Sequence, residues 1–390
     1  MLDPSDPAEA KEFTKLAFEI SEQFDRPVIV RITTRIAHSQ GLVDIADRKE
    51  VPLKDFVRNP RKFVMLPAHA RLRHKFIEEQ HLKLKDYSSD SGLNRIEWGN
   101  KKRGIITNGV AYQYVKETCP DDSVLKIGMV WPLPDRLIKE FASQVDELYV
   151  VEELDPFIED YVKSLGIKAT GKEIIPICDE LTPEIVDRAM NKKDVDKILP
   201  DYNREVPGRP PGLCKGCPHT FVFNVLKKLD YHVNGDIGCY TLGALPPYGT
   251  MHSQGCMGAS IGMHLGFEKA RGDEMARHSV AVIGDSTFIH SGITGIIDLV
   301  YNKGTGTVLI LDNRVTAMTG HQENPGTGVT LAGEPTFELD LEQLVKACGV
   351  KRAVVVDPRD IAELERVIVE EVAAKEPSVV IVKRKCILKK

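Results

Sequence analysis

The chain has 390 residues, of which 42% are hydrophobic and 28% are charged, and its formal net charge at pH 7 is −5. This size predicts a globular protein of two or three domains, and the slight negative charge excludes an extended basic surface for nucleic acid or membrane. Because we find neither a membrane-spanning apolar run nor an export signal, we expect a cytoplasmic protein whose eight cysteines are thiols or metal ligands.

The first predicted elements are a helix and a strand. Apolar side chains recur at helical spacing over residues 7–24, and Asp6 fits the N-cap position of that helix. Residues 27–32 (PVIVRI) are rich in β-branched side chains, which is typical of a buried strand. No strand of its own precedes this pair, so we assign residues 1–45 to the last αβ unit of a larger domain.

Three further segments follow along the chain. Residues 46–100 are charged and rich in helix formers, and we interpret them as a linker with helix. Strand and helix patterns alternate over residues 101–205, and a proline-rich joint at 206–211 separates them from a last domain, residues 206–390. We therefore predict an α/β protein with parallel sheets flanked by helices. The strands predicted in the middle domain are residues 104–108, 126–130 and 147–151.

Two predicted strands of the last domain, residues 279–283 and 307–311, are each followed by a polar residue. Asp285 follows the first and Asn313 follows the second. Because the carboxyl ends of parallel strands meet at one edge of a sheet, we expect these side chains to converge. A carboxylate and an amide oxygen suit Mg²⁺ that also binds phosphate oxygens. The sequence therefore predicts a metal–diphosphate site, unless Asp285 and Ser286 only cap the following helix.

The segment from Gly284 to Asn313 resembles the signature of thiamine diphosphate enzymes, which begins Gly-Asp-Gly and ends in Asn about thirty residues later. The resemblance implies that Asp285 and Asn313 bind Mg²⁺ and that Val315 adds its carbonyl oxygen. This sequence has Ser286 where the signature has glycine, and a hydroxyl there can donate to a phosphate oxygen. The further cofactor contacts implied are Gly284, Ser286, Thr316 and Thr319.

A glycine-rich stretch at residues 235–266 is the second predicted contact with the diphosphate. Glycines let backbone N–H groups approach a phosphate closely, and the helix that begins near Met257 has an N-terminus that favours an anion. The resemblance implies that Gly258 and Ser260 lie near the diphosphate. It also implies that Cys239 and Thr241 lie near the thiazolium side of the cofactor.

Cys214 and Cys217 form a CxxC pair, and Cys239 follows 22 residues later. Two thiolates do not complete a metal site, so the residues alone leave a zinc site, a redox pair and an iron–sulfur cluster open. The free candidates for a fourth cluster ligand are Cys256, Cys348 and Cys386. Cys348 lies on a predicted amphipathic helix, where core packing is the simpler interpretation.

The run Pro210 to His219 (PPGLCKGCPH) resembles the cluster motif of the 2-oxoacid:ferredoxin oxidoreductases. Gly238-Cys239-Tyr240 and residues 319–322 (TGHQ) fit the same family. The Cys-Pro-His ending and residues 288–292 (FIHSG) are most similar to the large alpha subunit of its indolepyruvate branch. The resemblance implies a [4Fe–4S] cluster, and the alternative is that the same cysteines are thiols or bind zinc. The implied cluster ligands are Cys214, Cys217, Cys239 and Cys386.

The same resemblance implies a function. It implies oxidative decarboxylation of aryl 2-oxo acids such as indolepyruvate to aryl-acetyl-CoA, with thiamine diphosphate, Mg²⁺, coenzyme A and ferredoxin. It implies a diphosphate-binding domain at residues 206–390 and a transketolase-C-like domain at 101–205, with residues 1–45 ending a pyrimidine-binding domain. The alternatives are a non-oxidative thiamine diphosphate decarboxylase and a cofactor-binding scaffold that is inactive without partners.

The resemblance also implies partners. These are a smaller beta subunit, a chain or segment that carries the glutamate of the pyrimidine domain, and assembly into a dimer or larger oligomer. We expect the chain to be a split subunit or a fragment, without turnover by itself. Three histidines are candidates for acid–base work or, if protonated, for holding the substrate carboxylate. They are His219, His252 and His290.

Overall fold

The computed structural model describes residues 1–55, 57–192 and 210–389. It divides the chain into two compact units, Met1–Arg204 and Glu205–Lys390. Most of the predicted joint at 206–211 lies outside the described residues. Within the described ranges, no helix is both long enough and apolar enough to cross a membrane.

The first unit is built on a four-stranded sheet with the strand order β1-β3-β2-β4, in which β2 is parallel to β3 and β4 while β1 is antiparallel to β3. The strands are β1 (Arg95–Glu97), β2 (Asn100–Asn108), β3 (Asp122–Ile127) and β4 (Glu147–Val151). The helices are α1 (Pro7–Phe24), α2 (Thr34–His38), α3 (Pro60–Phe63), α4 (Pro67–Asp90), α5 (Ala111–Thr118), α6 (Asp135–Ala142), α7 (Phe157–Ser164) and α8 (Pro183–Asn191).

The predicted first helix is confirmed, since Asp6 accepts a hydrogen bond from the N–H of Glu9 at its start. The predicted strand at 27–32 is wrong: Val30 forms a single bridge to Leu2, and the side chain of Ile29 is 64% exposed. An apolar run needs a neighbouring strand along its length to become a ladder, and one bridge does not provide that. The strand predicted at 126–130 begins four residues earlier, at Asp122.

The second unit contains a six-stranded sheet in which all pairings are parallel, with the order β6-β5-β7-β8-β10-β9. The strands are β5 (His232–Gly235), β6 (Ser253–Gln254), β7 (Ser279–Gly284), β8 (Thr307–Asp312), β9 (Arg352–Val356) and β10 (Ser378–Lys383). The helices are α9 (Pro218–Leu229), α10 (Ala259–Arg271), α11 (Asp273–Arg277), α12 (Asp285–Thr287), α13 (Ile293–Tyr301), α14 (Leu341–Ala347) and α15 (Ile361–Ala373).

Both faces of this sheet are buried, which explains the unbroken apolar runs in its strands. Val280 and Val282 of β7 belong to one hydrophobic cluster, whereas Ala281 and Ile283 belong to another. The predicted α/β class is confirmed. The helix predicted after Asp285 is interrupted, because a π-helical turn at Phe288–Gly292 separates α12 from α13.

Candidate cofactor site

The parallel pairing of β7 with β8 places Gly284 opposite Leu311, so the two strands end side by side. The polar residues that follow both strands line one cleft. This cleft brings together most of the residues that the sequence assigns to the cofactor. Its walls are His219, Ile237, Gly238, Cys239, Tyr240, Met257, Gly284, Asp285, Ser286, Thr287, Leu311, Asn313, Val315, Thr316, Ala317, Met318 and Thr319.

Asp285 is a buried carboxylate with weak compensation for its charge. It is 3% exposed and accepts a hydrogen bond from Nδ2 of Asn324 at 3.2 Å and another from the N–H of Ser286. Burial, and then the nearby carboxylate of Asp312, raise the pKa of Asp285 to about 7. A cation beside this carboxylate would stabilise its charged form.

Asn313 and Val315, in the turn after β8, line the same cleft. The N–H of Val315 donates to Oδ1 of Asn313 at 3.3 Å, and Nδ2 of Asn313 donates to Nε2 of His219 at 3.3 Å. Arg314 lies between them at φ = 60°, a left-handed conformation that costs about 1–2 kcal/mol for a residue with a side chain. Strain of this kind clusters at binding sites, where the surrounding structure enforces it.

The N-terminus of α10, which the sequence assigns to the diphosphate, is closed by a side chain of the protein. The carboxylate of Asp236 accepts from the N–H of Gly258 at 3.0 Å and from the N–H of Ser260 at 3.1 Å. Gly258 has φ = 91°, and a Cβ there would lie 2.9 Å from the backbone oxygen of Ser291, so only glycine fits. Neither Gly258 nor Ser260 lines the cleft, and their contact with a diphosphate stays a prediction.

The floor of the cleft is formed around the ring of Tyr240. A Cβ on Gly284 would lie 2.7 Å from Cε1 of that ring, so glycine at this strand end makes room for the aromatic side chain. Thr241 lies outside the cleft and supports its wall: its hydroxyl accepts from the N–H of Gly238 and donates to the carbonyl oxygen of Asp236. Ser286 and Thr316 contact each other through their hydroxyl groups at 2.8 Å.

The three candidate histidines lie in different environments. His219 lines the cleft and is buried, and burial lowers its pKa to about 4, so the ring is neutral at pH 7. A neutral ring does not hold a substrate carboxylate by charge. His252 accepts from the N–H of Val233 and stacks on His232, and the side chain of His290 is exposed; neither lines the cleft.

The four cysteines predicted as cluster ligands influence one another electrostatically. Burial, and then the thiols of the other three, raise the pKa of Cys217 to about 11. Burial and the thiols of Cys386 and Cys214 also raise the pKa of Cys239. All four are free thiols. In the described part of the chain, no three or more His, Cys, Asp or Glu side chains form a preorganised metal site.

Several residues of the site were not predicted. Asp236 follows β5 as Asp285 follows β7, so its position after a strand was a usable signal. Tyr240 and Met257 line the cleft, and Asn324 holds Asp285, but their local sequence gave no sign of these contacts.

Known proteins are similar to this chain at two levels, a family of domains and whole chains. Residues 236–382 match the family described as thiamine pyrophosphate enzyme, C-terminal TPP binding domain. The indolepyruvate oxidoreductase subunit IorA of Archaeoglobus fulgidus is 36% identical over 99% of this chain, and IorA of Thermococcus kodakarensis is 36% identical over 100% of it. Over nearly its whole length, this chain is homologous to the IorA subunits of indolepyruvate oxidoreductase.

The chain spans 65% of the length of the first of these relatives and 66% of the second. A solved structure of 2-oxoglutarate:ferredoxin oxidoreductase from Magnetococcus marinus is similar with a TM-score of 0.40 and 15% identity, over 46% of this chain and 66% of that one. A likeness of this size carries no conclusion about this chain.

Proposed function

We propose that this chain holds the diphosphate end of thiamine diphosphate in an enzyme that oxidatively decarboxylates aryl 2-oxo acids such as indolepyruvate, with coenzyme A as acyl acceptor and ferredoxin as electron acceptor. The observation that carries the proposal is that Asp285 and Asn313 both line one cleft at the ends of β7 and β8. The names of the relatives support the substrate class.

The donor set of the cleft fits a hard divalent cation. Asp285 offers a buried carboxylate, and its raised pKa reflects a negative charge that the protein itself compensates poorly. We assign the remaining protein ligands of Mg²⁺ to Oδ1 of Asn313 and the carbonyl oxygen of Val315, with phosphate oxygens completing the coordination. The hydroxyl of Thr316 donates to the hydroxyl of Ser286, which leaves the Ser286 hydroxyl available as a donor to the diphosphate.

Thiamine diphosphate, when bound, supplies a nucleophilic carbon and an electron sink for the loss of CO₂ from a 2-oxo acid. The residues of this chain bind and orient it: the strand ends fix the metal ligands, and the apolar side chains of Met257 and Met318 cover the cleft wall. His219 is buried and neutral, so it accepts a hydrogen bond and does not act as a cationic anchor. His252 and His290 lie outside the cleft, so we do not assign either of them as the proton donor of the chemical step.

The cysteine group supports the oxidative reaction over a simple decarboxylase. Neighbouring thiols of the group raise the pKa of Cys217 and of Cys239, and Cys239 also lines the cleft. A [4Fe–4S] cluster held by Cys214, Cys217, Cys239 and Cys386 would supply a one-electron acceptor beside the cofactor. We propose a smaller beta subunit, a partner segment carrying the pyrimidine-domain glutamate, and a dimeric or larger assembly.

The test measures the iron, sulfide and cofactor content of the enzyme purified without oxygen, together with its activity. We expect iron and sulfide in equal amounts, Mg²⁺-dependent binding of thiamine diphosphate, and reduction of ferredoxin that requires both indolepyruvate and coenzyme A. The variant Cys214→Ser removes a proposed cluster ligand. The matched control is Cys256→Ser, which removes an exposed thiol that we do not assign to the cluster.

Loss of iron in Cys214→Ser with iron retained in Cys256→Ser would support the cluster. Cofactor binding with CO₂ release but without iron or ferredoxin reduction would favour the non-oxidative decarboxylase. Binding of the cofactor with no substrate turnover in the complete assembly would favour a scaffold. Absence of Mg²⁺-dependent cofactor binding would reject the proposed function.

A further inference from the structure

The side-chain amide of Asn313 is held in one orientation by two contacts. A backbone N–H can only donate, so the atom that Val315 N–H meets at 3.3 Å must be the amide oxygen, Oδ1. The amide nitrogen, Nδ2, then faces His219 and donates to Nε2 of its ring at 3.3 Å. For this bond the ring must be neutral at Nε2 and carry its proton on Nδ1.

The backbone of Asn313 is fixed as well. Its carbonyl oxygen accepts a hydrogen bond from the N–H of Cys386 at 2.9 Å, where the chain continues beyond β10. With the main chain held, rotation of the amide is the remaining freedom at this residue. An amide oxygen has two lone pairs. Val315 uses one of them, and the other is available to a cation in the cleft.

His219 itself is held firmly. Its side chain is 3% exposed and packs edge-to-face against Tyr240, with the ring centroids 6.0 Å apart. Its backbone N–H donates to the sulfur of Cys217, so replacement of the ring leaves that bond in place. A buried acceptor in a fixed position can select one of two nearly isosteric orientations of an amide.

We propose that His219 is a positioning residue, which holds the amide of Asn313 so that Oδ1, and not the NH₂ group, faces the cation. The inference rests on the proposed function, because it assigns a purpose to the ring only if Asn313 binds Mg²⁺. A rotated amide would present two N–H donors to Mg²⁺ and remove a ligand. Residues that orient metal ligands in this way typically change metal affinity about 10–100-fold when they are replaced.

The experiment uses the complete enzyme and three variants. His219→Phe keeps a ring but removes the acceptor, and His219→Gln restores an acceptor oxygen near the position of Nε2. The matched control is His264→Leu, which removes a second buried histidine of the same unit; His264 lies beside Ser279, at the opposite end of β7. The readouts are the Mg²⁺ concentration that gives half-maximal binding of thiamine diphosphate, measured by calorimetry, and the iron content.

We expect His219→Phe to raise the required Mg²⁺ concentration about tenfold or more, and His219→Gln to return it to within about threefold of the native value. His264→Leu should lower thermal stability without changing the Mg²⁺ requirement. Equal Mg²⁺ requirements in all proteins would overturn the inference while the proposed function stands. Equal weakening in the Phe and Gln variants, with loss of iron, would also overturn it, since that pattern indicates a structural role.

Failure of the native enzyme to bind the cofactor with Mg²⁺ would instead reject the proposed function. If His219→Phe lowers the yield of folded protein, His219→Leu takes its place. A double-variant cycle that combines the substitution at position 219 with Asn313→Asp then keeps the inference testable. In Asn313→Asp, either carboxylate oxygen can face the cation, so loss of the ring at position 219 should have little further effect. An undiminished effect in that background would contradict the inference.

Discussion

Both units bury charged side chains beside their sheets, but they compensate them differently. In the first unit, Nζ of Lys126 lies 2.5 Å from Oε2 of Glu9, which also accepts from the N–H and hydroxyl of Ser5. Burial would raise the pKa of Glu9, but Lys126 and these hydrogen bonds hold it below the usual value. In the second unit, Asp285 has another carboxylate, Asp312, as its neighbour, and its pKa rises to about 7.

This difference separates a structural ion pair from a binding site. A buried charge whose oppositely charged partner lies in the same chain needs no ion from outside. Removing either side chain of such a pair leaves the other with less compensation for its charge. A buried carboxylate that lacks such a partner is stabilised when a cation arrives from outside. Removing the cation beside Glu9 should therefore destabilise the first unit. Removing the charge of Asp285 should instead weaken cofactor binding without destabilising the metal-free protein.

The largest expected effect is on stability in the first unit. Lys126→Met should lower the free energy of unfolding by about 3 kcal/mol, because it removes the charged hydrogen bond to Oε2 of Glu9 and leaves only Arg95, at Oε1, as a cation beside this partly buried carboxylate. Urea unfolding measures the change. Adding Glu9→Gln to this variant should recover much of the loss. The surface control, Lys346→Met, breaks an exposed helical pair with Glu342 and should cost only about 0.5 kcal/mol; an equal cost for both single variants would argue against the distinction.

The next effect is on binding in the second unit. Asp285→Asn should weaken Mg²⁺-dependent binding of thiamine diphosphate about 100-fold, which corresponds to about 2.7 kcal/mol. The same substitution should leave the metal-free protein at least as stable as the native one, since it removes a charge that burial disfavours. Calorimetry and urea unfolding in the presence of a chelator measure the two quantities. Unchanged cofactor affinity would contradict the assignment of Asp285 as a ligand.

The smallest effect is the pH dependence of stability, which should have opposite signs in the two groups. The pKa of Glu9 is lowered from 4.5 in the folded protein, so its stabilisation is present above pH 4.5 and is lost as pH falls through the lower folded value. The pKa of Asp285 is raised from 3.8 to about 7, so the metal-free folded state binds the extra proton between these values. Stability from this group therefore declines as pH rises through that window.

Unfolding by urea at a series of pH values, with chelator present, measures both slopes. Glu9→Gln should remove only the loss at acidic pH, and Asp285→Asn should remove only the decline toward neutral pH. Identical pH profiles of unfolding free energy for the two variants would contradict the opposite pKa shifts of Glu9 and Asp285.

The sequence was sufficient for the part of the site that follows from strand ends. The apolar runs of β7 and β8 predicted their positions within one residue, and parallel pairing placed Asp285 and Asn313 at the same edge of the sheet, where both line one cleft. The same reasoning failed at residues 27–32, because a run of apolar residues does not reveal whether a partner strand lies beside it. It also placed the start of β3 four residues late.

Contacts between distant side chains could not be predicted. The closure of α10 by Asp236 and the bond from Asn313 to His219 each depend on the packed positions of separate segments. The sequence suggested His219 as an acid–base candidate, whereas its burial makes it a neutral acceptor. The contact from Asn324 to Asp285 joins residues 39 positions apart, without a local pattern to indicate it.

The most direct test of the central claim is the position of the cation. Crystals grown with thiamine diphosphate and Mn²⁺ in place of Mg²⁺ should give an anomalous scattering peak in the cleft after β7 and β8. The account predicts that this peak lies within metal–oxygen bonding distance of the carboxylate of Asp285 and of Oδ1 of Asn313. A cofactor bound elsewhere, or a peak that touches neither side chain, would contradict it.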